Sequence, residues 1–173
     1  MRTVDSGATP SDDALEPEEV AARPADIVVR EIDGPDEMEE VFRIRDEVFV
    51  HEQRLTNDAR RDPDDRTSVH FLAWRNGDPL GTGRLTIFGR EAQVAWVAVR
   101  AAARRGGLGL AIMQAIIERA ERENTAYIVL NAQTHAISFY ESLGFEIVGP
   151  EFTMGGIGHH VMIRRSQQNV DPR

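Results

Sequence analysis

Hydrophobic residues recur along the chain with two periods, one typical of strands and one typical of amphipathic helices. In chain order they predict a strand at 27–32, a helix at 36–53, strands at 70–75, 80–88 and 93–100, a helix at 108–123, a strand at 126–131, a helix at 134–143, and strands at 145–148 and 158–164. The polar stretch 54–68 is expected to be a loop with a short helix, and Asn76-Gly77-Asp78 to be a hairpin turn. Strands and helices alternate without a regular strand–helix–strand repeat. We therefore expect a mixed α/β (α+β) sheet of six to seven strands flanked by helices.

The first 26 residues differ in composition from the rest of the chain. They carry acidic residues and prolines with few aliphatic residues, which is too little apolar surface to offset the entropy of ordering. We expect residues 1–26 to be a disordered acidic arm, residues 27–165 to be one domain, and residues 166–173 to be a frayed tail.

Charge and cysteine content exclude several function classes. A formal charge of −9, from 29 acidic and 20 basic residues, argues against the phosphate backbone of nucleic acid as the main partner. The absence of cysteine excludes disulfides, thiolate metal sites and a thioester formed on the enzyme. No secretory signal or long apolar run is present, so we expect a cytoplasmic protein without a membrane partner.

The segment 104–109, Arg-Arg-Gly-Gly-Leu-Gly, lies between a predicted strand and the predicted helix at 108–123. N–H groups at a helix N-terminus attract phosphate oxygens, glycines let a ligand approach the backbone, and arginines add charge-assisted contacts. The glycines could also serve only to turn and cap the chain, an alternative that this segment alone leaves open. A P-loop would need lysine, which the chain lacks, and a dinucleotide fingerprint would need glycine or alanine at Ile112.

Two signatures together resemble the GNAT acyl-CoA N-acyltransferases. Arg104-x-x-Gly107-x-Gly109, after the apolar strand, is similar to the coenzyme A pyrophosphate loop of that superfamily, and Phe139-Tyr140-x-x-x-Gly144-Phe145 is similar to another of its segments. Four further segments resemble its ElaA-like branch: Arg45-x-x-Val48-Phe49-Val50-x-Glu52-Gln53, His70-Phe71-Leu72-Ala73, Asn131-Ala132-Gln133 and Gly156-Ile157-Gly158-His159-His160-Val161-Met162. The resemblance covers residues 27–165 and implies a twisted mixed sheet that is splayed where coenzyme A binds.

The resemblance also implies an activity, the direct transfer of an acetyl or other acyl group from acetyl-CoA to an amine within a ternary complex. It places coenzyme contacts at Val97, Ala98, Val99, Arg104, Arg105, Gly106, Gly107, Leu108, Gly109 and Phe139. The backbone N–H of Val99 would polarise the thioester carbonyl. Tyr140 would protonate the departing thiolate, for which a phenol of pKa about 10 is an adequate acid.

The base and the acceptor amine are less well defined. Glu52 is the first candidate to take the amine proton, because it ends the first helical region beside an aromatic stripe, although a solvated surface glutamate is the alternative. His70 and His159, which match histidines of the ElaA-like branch, are the other candidates for this base, and either could equally be structural. The resemblance also makes His70, Gln133 and His159 candidates for acceptor binding. His159 and His160 are adjacent in a predicted strand and point to opposite faces, so we expect no metal site. The net negative charge favours a cationic acceptor.

Two hypotheses from other classes share these residues. A non-catalytic acyl-CoA-binding module would keep the loop without needing Glu52 or Tyr140, and an interaction protein would use the acidic arm as a partner tail. A predicted edge strand near the C-terminus would allow a homodimer. Trp74 and Trp96 are interpreted as ordinary core or edge-strand aromatic residues.

Overall fold

A computed structural model describes residues 26–167 of the chain. Its elements are β1 (Ile27–Glu31), α1 (Gly34–Arg45), a π-helical segment (Asp46–Glu52), a 3₁₀ helix (Pro63–Thr67), β2 (Val69–Arg75), β3 (Asp78–Phe88), β4 (Glu91–Val99), a 3₁₀ turn (Ala101–Ala103), α2 (Leu108–Arg122), β5 (Tyr127–Gln133), a second 3₁₀ turn (Thr134–Ala136), α3 (Ile137–Ser142), β6 (Glu146–Met154) and β7 (Ile157–Arg165). The strands form one seven-stranded sheet of order β1-β2-β3-β4-β5-β7-β6. The expected mixed sheet is therefore confirmed. The predicted arm and the predicted tail lie outside the described residues, apart from Asp26, Ser166 and Gln167.

Local sequence explains the hairpin between β2 and β3. Asn76 and Gly77 both adopt positive φ values, 52° and 86°, which is the conformation of a two-residue turn whose twist matches that of the strands. The predicted turn is confirmed, and it fixes the antiparallel register of β2 and β3.

Most elements lie within a few residues of their predicted bounds, and two differ more. The predicted helix at 36–53 is an α-helix only to Arg45 and continues as the π-helical segment, because an apolar spacing of three and four does not distinguish the two helix types. The predicted strand at 145–148 extends to Met154. Most of this strand is exposed at the sheet edge, so its sequence lacks the alternation of a half-buried strand.

Helices cover both faces of the sheet. Helix α2 lies so close to β3 that a Cβ atom on Gly83 would come within 2.8 Å of Ile112 and Ile116. On the opposite face, α1 packs Val41 and Ile44 into a smaller apolar cluster with strand residues. The central strands β3 and β4 are therefore held from both sides. None of the helices that the structure describes is long and apolar enough to cross a membrane.

The sheet opens between β4 and β5, its one parallel pair of neighbouring strands in the described residues. The two strands pair over only four residues each, and the last pair is Val94 with Leu130. Beyond that pair β4 runs on to Val99 and β5 to Gln133 without bonding to each other. This leaves a cleft at the carboxyl ends of adjacent strands, where open α/β sheets bind ligands.

Candidate active site

The backbone of Val99 faces the cleft. The N–H of Arg100 donates to Leu80 O on β3 at 2.9 Å, and because successive peptide groups of a strand alternate in direction, those of Val99 point the other way. The Val99 carbonyl accepts a hydrogen bond from Arg104 Nε at 2.9 Å. No described residue of β5 pairs with this part of β4, so the Val99 N–H is available to a ligand.

The segment 104–109 forms the loop that enters α2. Gly107 caps the helix with a φ of 85°, a conformation that favours glycine, and residues 104–107 are exposed. A Cβ atom on Gly109 would lie 3.9 Å from Phe139 Cζ and 4.0 Å from Val99 Cγ2. The helix N-terminus, the end of β4 and helix α3 therefore border one space.

Arg75 contacts this loop, and the sequence did not predict the contact. Its guanidinium donates to Gly106 O at 2.8 Å, and a Cβ atom on Gly106 would overlap the guanidinium. Arg75 ends β2 and lies far from the loop in sequence, so no local pattern could have paired them.

The structure brings Glu52 and Arg104 together. Their side chains form a bidentate ion pair, and the hydrogen bond from Arg104 lowers the pKa of Glu52. Both side chains are about two-fifths exposed, so the pair contributes little to folding stability. It instead fixes Glu52 at the mouth of the cleft as an ionised carboxylate, because Arg104 also bonds to Val99.

Tyr140 lies between two other aromatic rings. Its ring centroid is 5.1 Å from that of Phe139 and 5.9 Å from that of Phe145, both in edge-on arrangements. Burial raises the pKa of Tyr140 to about 12. The phenol is therefore fully protonated at neutral pH, in the form that can donate a proton.

His70 lies in a buried polar network. Its Nε2 must donate to Asp65 O at 2.9 Å, since a carbonyl only accepts, and its Nδ1 therefore accepts from Arg45 at 3.2 Å. Burial lowers the pKa of His70, and the neighbouring Arg45 contributes to the same shift. Both ring nitrogens are engaged within the protein, so this geometry gives His70 a structural place rather than a free nitrogen for an acceptor.

Gln133 and His159 lie side by side at the open ends of β5 and β7. Gln133 exchanges amide hydrogen bonds of 2.8 and 3.3 Å with Gln53, which follows the π-helical segment. His159 is buried, stacks on Phe152, and donates a hydrogen bond from Nδ1 to Ile157 O at 2.7 Å. Through Gln133 and His159, the π-helical segment is connected to the β6–β7 hairpin.

Two carboxylates in the polar stretch 54–68 reach the sheet, which sequence analysis also missed. Asp65 accepts from Arg45 at 2.8 and 3.1 Å and from Arg84 at 3.0 Å, and Asp62 accepts from the indole of Trp96 at 2.9 Å. The Asp-Pro pair at 62–63, a helix-start signal, could have indicated that Asp62 is an ordered cap. Among residues 26–167, no cluster of three or more His, Asp or Glu side chains is arranged to hold a metal ion.

Comparison with known proteins gives consistent matches over this domain. The family described as "Acetyltransferase (GNAT) domain" matches residues 16–166. The chain is 29% identical over 130 residues to the "Uncharacterized N-acetyltransferase YjcF" of Bacillus subtilis, covering 75% of this chain and 93% of that protein. Among solved structures, ElaA of Escherichia coli superposes with a TM-score of 0.74 at 25% identity, covering 80% of this chain and 99% of its own. An acyl-CoA N-acyltransferase from Pseudomonas aeruginosa superposes with a TM-score of 0.72 at 28% identity, covering 81% and 99%.

Proposed function

Because the chain belongs to the GNAT acetyltransferase family, we propose that it transfers an acetyl group from acetyl-CoA directly to an amine. The observation that carries this proposal is the cleft itself. Strands β4 and β5 separate after Val94, and the exposed N-terminus of α2 lies at the same opening. The unpaired part of β4 could therefore bind a thioester while the N-terminus of α2 binds a diphosphate.

The residues around the cleft fit coenzyme A. The first N–H groups of α2 have no partners within the helix and would hold the pyrophosphate, helped by the exposed guanidinium of Arg105. Gly109 leaves room for the ligand between Phe139 and Val99. Val97 to Val99 would align the acyl-bearing arm along the unpaired edge of β4, with the Val99 N–H donating to the thioester oxygen.

The proposed chemistry needs no covalent enzyme intermediate. The neutral amine nitrogen attacks the carbonyl carbon, a C–N bond forms, and the C–S bond breaks. Tyr140 gives its proton to the departing thiolate, and the amine proton leaves through water to Glu52. Since Arg104 lowers the pKa of Glu52, Glu52 acts as a weak base that is ionised throughout the neutral range.

The acceptor end of the cleft presents polar groups to an amine, and the net charge of −9 favours a cationic one. Glu52 is an ionised carboxylate at its mouth, and the Gln53–Gln133 pair offers neutral amide groups beside it. His159 contributes a buried ring to the same end. We propose that Glu52 and Gln133 contact the acceptor, while His159 shapes the floor beneath it.

Calorimetric titration with acetyl-CoA, coenzyme A and NAD, combined with turnover on a panel of amines, tests this function. We expect both coenzyme A ligands to bind and NAD not to bind, with acetyl transfer to at least one cationic amine. Binding without turnover across the panel would favour a non-catalytic acyl-CoA-binding module. Folded protein that binds none of the ligands would contradict the proposal.

Gly109→Ala separates the loop's ligand role from its folding role. The added methyl group meets only ordinary van der Waals distances, and alanine in the first turn of α2 should raise the free energy of unfolding by about 0.5 to 1 kcal/mol. The same methyl group occupies space proposed for the coenzyme, so its Kd should rise at least about tenfold, or 1.4 kcal/mol. Calorimetric titration measures the expected rise in Kd, and urea unfolding of the same sample measures the expected rise in the free energy of unfolding. An unchanged Kd would contradict the placement of the coenzyme beside Gly109.

A further inference from the structure

Strand β4 contains one residue more than its partner at the point where the cleft opens. Thr82 pairs with Ala98 and Arg84 with Ala95, so two residues of β4 lie opposite the single residue Gly83. Such a β-bulge bends the strand and interrupts its alternation. It begins at Trp96, two residues after Val94, which is the last residue of β4 that pairs with β5.

Trp96 occupies the strained position of this bulge. Its φ is 56°, in the left-handed region that bulky side chains rarely adopt. A conformation of this kind persists only where the surrounding structure holds it, and such strain is concentrated at functional sites. The contacts around Trp96 should therefore show what maintains the bulge.

Three side chains hold the indole of Trp96. Asp62 accepts a hydrogen bond from Nε1 at 2.9 Å. The Phe49 ring meets it edge-on with centroids 5.1 Å apart, and the Arg45 guanidinium lies 5.0 Å above the indole ring. Of these contacts, the bond to Asp62 is the directional one, and it fixes how the ring is rotated.

Asp62 is itself fixed from two further directions. One of its carboxylate oxygens accepts from the Asp64 N–H at 2.9 Å. The other, which already holds Trp96, lies 2.8 Å from Arg84. Because Arg84 follows Gly83 on β3, a single carboxylate oxygen contacts both strands beside the bulge.

The bulge sets which way Val99 faces. Removing one residue from a strand reverses the direction of every later peptide group relative to the earlier ones. With the bulge in place, the Val99 N–H points into the cleft; without it, the same N–H would point toward β3. The conformation of Trp96 therefore determines whether the proposed donor to the thioester oxygen is in position.

We propose that Asp62 is a positioning residue for acyl transfer, which holds Trp96 in the left-handed conformation and thereby aims the Val99 N–H at the thioester oxygen. This inference rests on the proposed function. Asp62 touches no reacting group, so its loss should reduce kcat while leaving the pyrophosphate site at α2 intact.

The first test compares Asp62→Asn and Trp96→Phe with Trp74→Phe. Trp96→Phe keeps an aromatic ring but removes the N–H donor, and Trp74→Phe makes the same change at the other of the two tryptophans. We expect Asp62→Asn and Trp96→Phe to lower kcat by about 10- to 100-fold, with Kd for coenzyme A changed by less than about threefold. Trp74→Phe should leave kcat within about twofold of the wild-type value. Because it removes the Trp74 indole signal from the ¹H–¹⁵N spectrum, it also identifies the signal of Trp96. We expect Asp62→Asn to shift that Trp96 signal.

The second test separates positioning from a general structural effect. Glycine adopts positive φ without support, so Asp62→Asn should have less than about a twofold effect on kcat in a Trp96→Gly background. An equal loss of kcat in both backgrounds, or an unshifted indole signal with unchanged kcat, would overturn the positioning role. An inactive wild type would overturn the proposed function and this role with it, whereas an active wild type with unaffected variants overturns only the role of Asp62.

Discussion

Tyr140→Phe is expected to lower the kcat of acetyl transfer by about 10²- to 10⁴-fold, the range in which a positioned general acid contributes. Phenylalanine keeps the edge-on packing against Phe139 and Phe145 and removes only the hydroxyl group. The Kd for coenzyme A, measured by calorimetry, should therefore stay within about twofold of the wild-type value. The departing thiolate would then have to take its proton from water.

Tyr127→Phe is the matched control, because Tyr127 is the other of the two tyrosines. Its hydroxyl bonds to Glu91 at 2.7 Å, at the end of β5 opposite the cleft, so kcat should not change. Burial raises the pKa of Tyr140 to about 12, and the wild-type rate should accordingly show no alkaline loss from Tyr140 below about pH 11. Wild-type turnover in Tyr140→Phe would remove Tyr140 from the mechanism.

Features that depend on residues close together in the sequence could be predicted, as one turn and one segment show. The hairpin at Asn76 and Gly77 follows from a turn preference within two residues. The position of segment 104–109 at the start of α2 follows from the change between apolar strand and amphipathic helix. Both signals depend on neighbours along the chain, which is the information that periodicity and turn chemistry contain.

Contacts between distant segments could not be predicted in the same way. The ion pair of Glu52 with Arg104 joins residues 52 positions apart, and the bond from Trp96 to Asp62 joins residues 34 apart. His70 shows the consequence, because the family resemblance makes it a candidate for acceptor binding, whereas in the fold both of its ring nitrogens bond to Arg45 and Asp65. A side chain's availability depends on tertiary packing, which no local pattern reports.

Asp65→Ala is expected to lower the free energy of unfolding by about 3 to 5 kcal/mol, the cost of leaving a buried charge without its partner. Arg45 has no exposed surface, and its Nε has no partner among the described residues. Both of its terminal nitrogens bond to Asp65. Without that carboxylate, the guanidinium would keep hydrogen bonds only to Ala59 O and the His70 ring, and the other carboxylate that acts on it, Asp62, already pairs with Arg84.

Asp64→Ala provides the control, because it removes an equal charge from the neighbouring position, where the side chain makes no hydrogen bond to the described residues. Urea unfolding at pH 7 should place its free energy of unfolding within about 1 kcal/mol of the wild type. The double variant Arg45→Met with Asp65→Leu should recover most of the stability lost in Asp65→Ala, since apolar residues can replace a buried pair once both charges are removed. Asp62 would still neutralise Arg84 in that variant. Equal free energies of unfolding for Asp65→Ala and Asp64→Ala would contradict this prediction. They would mean that the charge of Arg45 does not depend on Asp65 for its compensation.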